Sequence, residues 1–432
     1  MTDPFPYQIE GIDFLAGRKA AMLADDPGLG KTLQAIKACD KIPYALRVLV
    51  VCPACVTVNW RREIETHRTG DWQAGVFSYE QTVEKWRPGI LRDEYDAVII
   101  DEAHYLKGIE SKRTRAIYGF NRNFQLSDAH SIVARGQKTM VLTGTPMPNK
   151  ASELYTHLRA LAPETVMSPH TKMPWTYHQF EQRYCVPHQG LHGITWSGSR
   201  REPELHKKLK SFMLRRRKSE VLKDLPPLRF AELYVEGDMT GLEIEGADEI
   251  RAVLEKDGVE GLRKLAFDGG VAKLRRMTGL AKALPAADWI NNWLDGTPDD
   301  RKIVVFAHHH DVIETLYDKL HTRAVRVHGG IKQDERQRSV DRMQNDPAIR
   351  CFIGQITAAG VGITLTAASD LVFVESSWVP SENIQAGDRI HRIGQTEPCL
   401  VRYMMLSGSI DEDIQKACMR KMSSIAKVVD GE

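Results

Sequence analysis

Residues 24–32, ADDPGLGKT, combine glycines, a lysine and a threonine in an order that suits phosphate binding. Backbone N–H groups of a glycine loop can face phosphate oxygens, and a helix that begins directly after the loop adds the partial positive charge of its N-terminus. Lys31 would then reach the β- and γ-phosphates, and the Thr32 hydroxyl would bind magnesium. Asp25 stands where the common phosphate loop has glycine, so a glycine turn that only opens a helix is the alternative. The candidate phosphate-binding residues are Gly28, Leu29, Gly30, Lys31 and Thr32.

A pair of carboxylates follows the apolar run AVII at residues 97–100, where the chain continues with DEAH. Ligands of open parallel sheets bind at the carboxyl ends of the strands. Asp101 can complete the coordination of magnesium, and Glu102 can orient and deprotonate an attacking water. An acidic helix start is the alternative, which the phosphate loop upstream makes less favourable. The turn LTGTP at 142–146 also follows a predicted strand and could sense the γ-phosphate.

Two arginines far downstream could stabilise the charge of a transferring phosphoryl group. Arg389 and Arg392 lie in QAGDRIHRIGQ, residues 385–395, with the i, i+3 spacing that predicts one face of a helix. An arginine aimed at the γ-phosphate accelerates phosphoryl transfer by about 10³ to 10⁵. We assign Gln385, at the start of this stretch, to the same group. A solvated basic face is the alternative for such a pair.

Short β-branched runs, each bounded by turn residues, would position these groups. Near-continuous apolar strands that alternate with amphipathic segments indicate parallel sheets covered on both faces. Because one group of runs precedes about residue 145 and another follows about residue 300, we predict an α/β fold of two parallel-sheet lobes with helical insertions between them. The runs are VLVV at 48–51, AVII at 97–100, KTMVLTG at 138–144, KIVVFAH at 302–308, CFIG at 351–354 and LVFVE at 371–375.

The stretch between the two groups has few strand signals and much helical pattern. The prolines of LKDLPPL, residues 222–228, mark the expected boundary between the lobes. The expected parts are a first ATP-binding lobe over 1–228, with a helical insertion at about 165–228, and a second lobe over 229–432, with a helical segment at about 236–285.

The composition sets few limits on function. With a net charge of +2, the 432-residue chain has no overall field that attracts polyanions, so a nucleic-acid site has to be a local patch. Seven cysteines suit a reducing compartment better than a disulfide framework. The N-terminus MTDPFPYQIEG lacks the features of a signal peptide, and no membrane span is expected. We therefore expect an intracellular location, in the cytoplasm or nucleoid or in the cytoplasm of a host cell.

Three consecutive histidines, His308 to His310, follow the predicted strand KIVVFAH. Histidine is a common metal ligand. At a strand end, however, we expect the three side chains to lie near the surface between the lobes, and a metal site is the less favoured alternative.

Together these motifs resemble those of the Swi/Snf family of superfamily-two helicase-like ATPases. PYQIEGIDFL at residues 6–15 resembles the family's Q motif, in which Gln8 would recognise adenine. LADDPGLGKT resembles the family's phosphate loop, in which Asp25 is a signature, although Pro27 replaces the usual methionine. DEAHYLK resembles motif II.

The resemblance covers nearly the whole chain. VVCPACVTVNWRREI resembles the DNA-proximal motif Ia, MLRRRKSEVLKDLPPL the segment that closes the first lobe, and IVVFAHHHDVIETL motif IV. The block at residues 357–395 resembles motifs V and VI, although Thr364 stands where the family has asparagine. The ending IHRIGQ differs from the QRxGRAGR that is usual in DEAH-type RNA helicases.

The resemblance implies two RecA-like lobes that bind ATP and Mg²⁺ and act on DNA, double-stranded or branched. Magnesium would be held by Thr32 and Asp101. Contacts to ATP outside the glycine loop would come from Gln8, Asp25, Gly360 and Gly362. Contacts to DNA would come from Cys52, Pro53, Arg215, Arg216, Arg217 and Thr357. These last arginines belong to a basic run over residues 200–218 that would hold the phosphate backbone, with a solvated helix face as the alternative.

The implied function is a DNA-stimulated ATPase whose lobes close on ATP and thereby move the protein along DNA. Within the family, the VFAHHH stretch and the short chain look most like the annealing-helicase branch or a compact phage or bacterial relative, and we expect a monomeric motor. The alternatives are a DEAH-type RNA helicase and an ATP-gated DNA-binding scaffold with little turnover.

Overall fold

The computed structural model describes residues 3–43, 47–147, 150–168, 171–190, 193–237, 252–254, 270–359 and 362–419. The chain divides into two compact units, Met1–Lys223 and Asp224–Glu432. The division falls inside the proline-containing stretch LKDLPPL. Each unit is built around its own six-stranded sheet.

The sheet of the first unit has the order β3-β2-β4-β5-β1-β8, and all of its neighbouring strands are parallel. Its central strands are buried on both faces, which is why their sequences read as continuous apolar runs and do not alternate. The strands are β1 (Ala20–Leu23), β2 (Arg47–Cys52), β3 (Gln73–Ser78), β4 (Tyr95–Ile100), β5 (Gly136–Leu142) and β8 (Met213–Leu214).

Helices connect these parallel strands, as parallel pairing requires. Their apolar faces close a core around Tyr79, Tyr118 and Phe180, which are almost completely buried. The helices are α1 (Pro6–Ala16), α2 (Lys31–Asp40), α3 (Thr57–His67), α4 (Tyr79–Val83), α5 (Arg87–Arg92), α6 (Lys112–Tyr118), α7 (Tyr155–Leu161), α8 (Tyr177–Tyr184), α9 (Glu202–Leu209) and α10 (Lys218–Val221).

The region predicted to be a helical insertion also contains an antiparallel hairpin. Strands β6 (Val186–Gly190) and β7 (Gly193–Ser197) pair with each other and with no third strand among the described residues. The hairpin is not evident from the sequence, because VPHQG and GITWS contain turn-forming residues that obscure the strand pattern.

The sheet of the second unit has the order β11-β12-β10-β13-β14-β9, again with parallel neighbours throughout. The strands are β9 (Leu228–Val235), β10 (Ile303–Ala307), β11 (Ala324–Val327), β12 (Cys351–Gln355), β13 (Asp370–Phe373) and β14 (Cys399–Leu406). The helices are α11 (Gly270–Gly296), α12 (His310–Leu320), α13 (Gln333–Asn345), α14 (Ile356–Ala359) and α15 (Pro380–Gly387), and residues 252–254 and 410–419 are also helical.

These two parallel sheets with their helices confirm the predicted α/β fold of two RecA-like lobes. All six predicted strands are present, within two residues of their expected ends. The helical segment expected at about 236–285 lies largely outside the described residues, and its described part belongs mainly to α11. No helix within the described residues is both long and apolar enough to cross a membrane.

Candidate active site

The glycine loop lies between the end of β1 and the start of α2. Gly30 is the N-cap of α2 with φ +75°, and Gly28 has φ +89°, so both residues take the left-handed conformation that glycine adopts without strain. A Cβ atom on Gly30 would lie 2.4 Å from Gln8 Nε2, so the position is also closed sterically. A glycine loop that ends at the N-terminus of a helix, where N–H groups lack helical partners, is the arrangement that a phosphate cradle requires.

Lys31 begins α2 and points back over this loop. Its Nζ donates to the carbonyl oxygens of Asp25 at 2.6 Å and Asp26 at 3.2 Å. Burial lowers the pKa of Lys31, while the negative charges of Glu102, Asp25, Asp101 and Asp26 act in the opposite direction. A bound phosphate could take the place of the two carbonyl groups and would supply the negative charge that a buried ammonium favours.

Asp25 is completely buried and forms a two-pronged ion pair with Arg216. Arg216 Nε donates to Oδ1 at 3.0 Å, and Nη2 donates to Oδ2 at 2.6 Å. Arg216 also donates to Gln34 Oε1 at 2.9 Å, to Glu10 Oε2 at 3.2 Å and to the carbonyl of Tyr7. The ion pair between Asp25 and Arg216 thus connects the end of β1 to the residues that follow β8, and the other bonds of Arg216 reach α1 and α2.

Arg215 supports the loop from the same side. Its Nη1 donates to Ala24 O at 2.9 Å and to Gly144 O at 3.3 Å, and its Nη2 donates to Asp26 Oδ1 at 3.3 Å. Gly144 belongs to the LTGTP turn, and a Cβ there would lie 2.8 Å from Pro27 Cγ and 3.5 Å from Lys31 Nζ. The LTGTP turn therefore lies directly against the phosphate loop.

Several residues assigned to DNA from the sequence are placed elsewhere, and these assignments need correction. Arg215 and Arg216 direct their donors to the phosphate loop, and only 8% of the Arg216 side chain is exposed. Cys52 is fully buried at the end of β2 and Pro53 is buried after it, so neither side chain lies on a surface that DNA can reach. In the sequence the arginine run reads as one surface, because nothing local shows that β8 turns these two side chains inward. Thr357 is exposed and its assignment stays a prediction.

Gln8 is buried against the same loop. Its Nε2 donates to Leu29 O at 3.2 Å, and its Oε1 accepts from Phe5 N–H at 3.0 Å. Phe5, which was not singled out from the sequence, is 45% exposed and stacks on Tyr7 at 5.9 Å between ring centroids. The role of Gln8 in recognising adenine stays a prediction, and Phe5 offers an aromatic surface beside it. Its position just before the Q motif was the only signal in the sequence.

Asp101 and Glu102 follow β4, as predicted. Asp101 Oδ2 accepts from Trp60 Nε1 at 2.8 Å and Oδ1 accepts from the Glu102 N–H at 2.9 Å. Burial, and then the charge of Glu102, raise the pKa of Asp101 to about 6, against the opposing effect of these hydrogen bonds and of Lys31. Trp60, on α3, is a positioning residue that sequence reasoning missed, because nothing local links it to the DEAH stretch.

Glu102 has an unusual backbone conformation for a residue with a side chain. Its φ of +50° and ψ of +49° lie in the left-handed region, which persists at functional sites when the surrounding structure holds it. Its Oε2 is 3.2 Å from His104 Nδ1. The carboxylate is therefore held at the start of the short helical turn over Ala103–Leu106, beside the Asp101 carboxylate.

The donor set of this site fits a magnesium ion. Two neighbouring carboxylates and the Thr32 hydroxyl, at the start of α2, are hard oxygen ligands of the kind that Mg²⁺ prefers. Burial, and then the neighbouring charge of Glu102, raise the pKa of Asp101, and a bound cation would oppose both effects by favouring the ionised carboxylate. The assignment of Thr32 and Asp101 as the residues that would hold the ion stays a prediction.

In the second unit, Arg389 and Arg392 converge on one carbonyl group. Nη1 of each donates to Ile363 O, at 3.3 Å from Arg389 and 3.4 Å from Arg392. Arg389 Nε also donates to Gln385 O at 3.0 Å. The predicted common helical face is wrong, because α15 ends at Gly387 and both arginines lie in the turns that follow. Their shared position comes from the loop between α14 and β13, to which Ile363 belongs.

That loop contains the remaining predicted ATP contacts. Gly362 has φ +75°, a conformation that glycine adopts with little strain, and it stands directly before Ile363. Gly360 lies outside the described residues. Gln385 is 7% exposed within α15. The roles of Gly360 and Gly362 in binding ATP, and of Gln385 in catalysis, stay predictions.

The chain is similar to known proteins over nearly its whole length. The SNF2-related domain family matches residues 7–86 and 76–243, more than half of the chain, and the helicase conserved C-terminal domain matches residues 287–394. The chain is 31% identical over 450 residues to the SWI/SNF-related matrix-associated actin-dependent regulator of chromatin subfamily A-like protein 1 homolog of Caenorhabditis elegans, with 98% of this chain and 61% of the relative covered. It is 29% identical over 457 residues to the human DNA annealing helicase and endonuclease ZRANB3, with 99% of this chain and 40% of the relative covered.

Among solved structures, the chain is similar to a Sulfolobus solfataricus SWI2/SNF2 ATPase core in complex with dsDNA. The identity is 22%, the TM-score is 0.42, and the match covers 100% of this chain and 93% of that chain. The chain thus spans 61% and 40% of the lengths of the two curated relatives.

Proposed function

The chain belongs to the SNF2-related family of helicase-like ATPases, and on that basis we propose that it hydrolyses ATP and couples hydrolysis to movement along, or remodelling of, double-stranded DNA. The observation that carries the proposal is the arrangement around Lys31. This lysine heads a helix behind a glycine loop and lies within the electrostatic field of Asp101 and Glu102. A phosphate cradle and a pair of carboxylates in one site support phosphoryl transfer to water.

Each residue of the first unit has a distinct role in this mechanism. The loop N–H groups and Lys31 bind the β- and γ-phosphates and neutralise the charge that develops during transfer. A magnesium ion bound to Thr32 and Asp101 would supply further charge neutralisation at the phosphates. Glu102, which is placed by its left-handed backbone with Oε2 at 3.2 Å from His104 Nδ1, orients the attacking water and accepts its proton.

The second lobe, the segment that follows residue 228, is proposed to contribute Arg389, Arg392 and Gln385 to the reaction. We propose that ATP draws these arginines to the γ-phosphate, where Arg392 stabilises the transition state. This step comes from the sequence motifs, and the convergence of both guanidinium groups on Ile363 O supports the idea that they act as a pair.

DNA is the proposed partner because one similar structure carries dsDNA and a similar protein is called a DNA annealing helicase. In this chain the outer part of the basic run is available to bind the phosphate backbone. Arg200, Arg201, Lys207 and Lys210 are exposed around α9. We propose that these residues and Arg217 take over the role first assigned to Arg215 and Arg216, while Thr357 contacts DNA from the second unit.

The test is an ATPase assay with double-stranded DNA, single-stranded DNA and RNA in parallel. We expect hydrolysis that double-stranded DNA stimulates most strongly. Lys31→Ala should abolish it. Lys41→Ala should not change it, because Lys41 is an exposed lysine just after α2 that pairs with Asp13. Hydrolysis in the Lys31 variant equal to that of the unaltered chain would contradict the assignment of the site.

A second variant tests the arginine assignment. Arg392→Ala should retain ATP binding and lower turnover by at least about 10³. Stimulation by RNA, with release of strands from a tailed duplex, would instead favour an RNA helicase, which the family membership does not support. ATP and DNA binding without turnover would favour a scaffold.

A further inference from the structure

Two histidines and one glutamate of the second unit lie close together and have no role in the proposed ATPase mechanism. His310 is the first residue of α12, Glu314 lies one turn later, and His328 follows the end of β11. One potential ligand atom from each residue lies within 4.8 Å of the other two. Glu314 Oε1 is 3.6 Å from His310 Nε2 and 3.5 Å from His328 Nε2.

Local structure brings these atoms together. The i, i+4 spacing places His310 and Glu314 on one face of α12, and this helix packs on β11. The two imidazole rings are 4.3 Å apart between centroids and nearly perpendicular, at 86°. His328 is 8% exposed, so the cluster has one buried and one solvent-facing histidine.

The carboxylate of Glu314 is already oriented. Arg326 Nη1 donates to Glu314 Oε2 at 2.6 Å and leaves Oε1 facing the histidines. Within the part of the chain that the structure describes, Oε1 is buried and has no hydrogen-bond partner. Such an oxygen is unfavourable unless a donor or a cation meets it. Partners like Arg326, outside the ligands themselves, are what fix ligand orientation in metal sites.

We propose that His310, Glu314 and His328 form a zinc-binding site. Two imidazole nitrogens and one carboxylate oxygen are a ligand set that Zn²⁺ accepts, with a water molecule in the fourth position. Imidazole favours zinc and its neighbours among the transition metals over Mg²⁺ and Ca²⁺. The ion would join the start of α12 to the end of β11. This inference does not depend on the proposed ATPase function.

Zinc binding would rearrange one hydrogen bond. His328 Nδ1 accepts the N–H of Gly330 at 3.2 Å, which leaves the ring proton on Nε2, facing Glu314. Coordination through Nε2 moves that proton to Nδ1 and breaks the bond from Gly330. Glycine permits the backbone change, but the change lowers the affinity below that of a preformed four-ligand site.

In the sequence, His308, His309 and His310 read as one group, and a metal site there was the less favoured alternative. The structure separates them. His309 Nδ1 lies 2.7 Å from Glu375 Oε1, and the N–H groups of His308 and His309 both donate to Glu375 Oε2 at 2.9 Å. Of the three histidines, His310 is the one that lies beside Glu314 and His328 in the proposed zinc site.

The experiment is a metal titration of the full chain after removal of metals with EDTA. Zinc is titrated in competition with a chromophoric chelator, and the visible absorption of bound Co²⁺ reports the ligand type. We expect one site per chain without thiolate bands. His310→Ala, Glu314→Gln and His328→Ala should each weaken zinc binding by at least about tenfold, the loss that even an outer partner causes.

His321→Ala is the matched control, because this exposed histidine directly follows α12 and lies outside the cluster. It should bind zinc as the unaltered chain does. The His310 side chain is 59% exposed, so its removal should leave the fold intact, and a thermal melt in EDTA checks this. Absence of zinc binding in the unaltered chain would overturn the proposal. So would zinc binding in the His310 and Glu314 variants that is as tight as in the unaltered chain. Thiolate bands with Co²⁺ would do so as well, by assigning the ion to cysteine.

Discussion

At the residue scale, Asp25 explains how this phosphate loop differs from the common one. An aspartate without exposed surface is costly to ionise unless it is paired, and Arg216 pairs with both of its oxygens. Lys31 Nζ donates to the backbone carbonyl oxygen of Asp25, so the carboxylate is left to the pair with Arg216. The pair holds the strand end from which the loop departs, and we infer that it acts by positioning.

Asp25→Ala should lower the free energy of unfolding by about 3–5 kcal/mol, because it leaves the buried Arg216 guanidinium with only the exposed carboxylate of Glu10 as a counterion. Asp13→Ala is the control, since it breaks an ion pair with Lys41 in which both side chains are about half exposed. That change should cost about 0–1 kcal/mol. Denaturant unfolding measures both, and equal destabilisation by the two variants would refute the structural role of Asp25.

Asp101 gives a prediction about pH. Its pKa is raised from 3.8 to about 6, so the folded protein holds this proton more tightly than the unfolded chain does. Stability therefore falls as pH rises between these two values, and the cost persists at higher pH. Asp101→Asn removes the charge and keeps an oxygen that can accept from Trp60.

In EDTA, Asp101→Asn should be more stable than the unaltered chain by about 1–3 kcal/mol near neutral pH, and by less near about pH 4.5. Thermal melts at several pH values measure the difference. The same variant should lose ATP hydrolysis, because the carboxylate that would hold magnesium is gone. A stability difference that does not change with pH would show that the Asp101 proton is not the cause.

At the scale of elements, the start of α2 depends on two glycines with positive φ. Gly30→Ala places a side chain in a left-handed conformation, at a cost of about 1–2 kcal/mol, and pushes against Gln8. We expect ATP affinity to fall by about tenfold, since strain of this size acts on the loop that binds phosphate. Binding of a fluorescent ATP analogue measures the loss.

Gly89→Ala is the matched control, because no atom lies within 4 Å of a Cβ added there, in α5. It should leave ATP binding unchanged. If both alanine variants bound ATP equally well, the left-handed conformation of Gly30 would not matter for the phosphate loop.

The end of α15 shows why helical periodicity misplaces a pair of residues. The spacing of Arg389 and Arg392 predicts a shared helical face, yet the helix ends at Gly387. The two side chains nevertheless meet at Ile363 O, which belongs to a different part of the chain. A common tertiary partner, and not a common helix, makes them neighbours.

At the scale of the whole molecule, a near-neutral net charge means that attraction to DNA must come from a local patch. Replacement of all four exposed cations around α9 with glutamine should weaken binding to duplex DNA. The slope of log affinity against log salt should become less steep by about 0.9 for each DNA phosphate that the variant no longer neutralises. Titrations of labelled duplex at several salt concentrations measure it. The four residues are Arg200, Arg201, Lys207 and Lys210.

A control variant removes the same charge from other exposed positions of the first unit and should leave the salt slope unchanged. If it reduced the slope as much as the α9 variant does, the attraction would be diffuse and the proposed surface would be wrong. The control positions are Lys41, Arg47, Lys85 and Arg92.

The sequence by itself determined the elements and the residue types of the site. Apolar runs at β2, β4, β5, β10, β12 and β13 indicated parallel strands because strands buried on both faces need continuous apolar side chains. Strand β1, AAML, and strand β14, CLVRYMML, were not predicted because they lack long β-branched runs. The glycine loop and the DEAH stretch could be recognised because the residues that carry their chemistry are consecutive in the sequence.

Only the tertiary structure decided which side chains meet across long distances in the chain. Arg216 pairs with Asp25, Trp60 donates to Asp101, and His328 lies 3.5 Å from Glu314, and none of these contacts has a local signal. The direction in which a side chain points depends on the turn and strand that carry it, and on what packs against them. For that reason the basic run over residues 200–218, which reads as one surface, divides into an exposed part around α9 and a part at Arg215 and Arg216 that faces the phosphate loop.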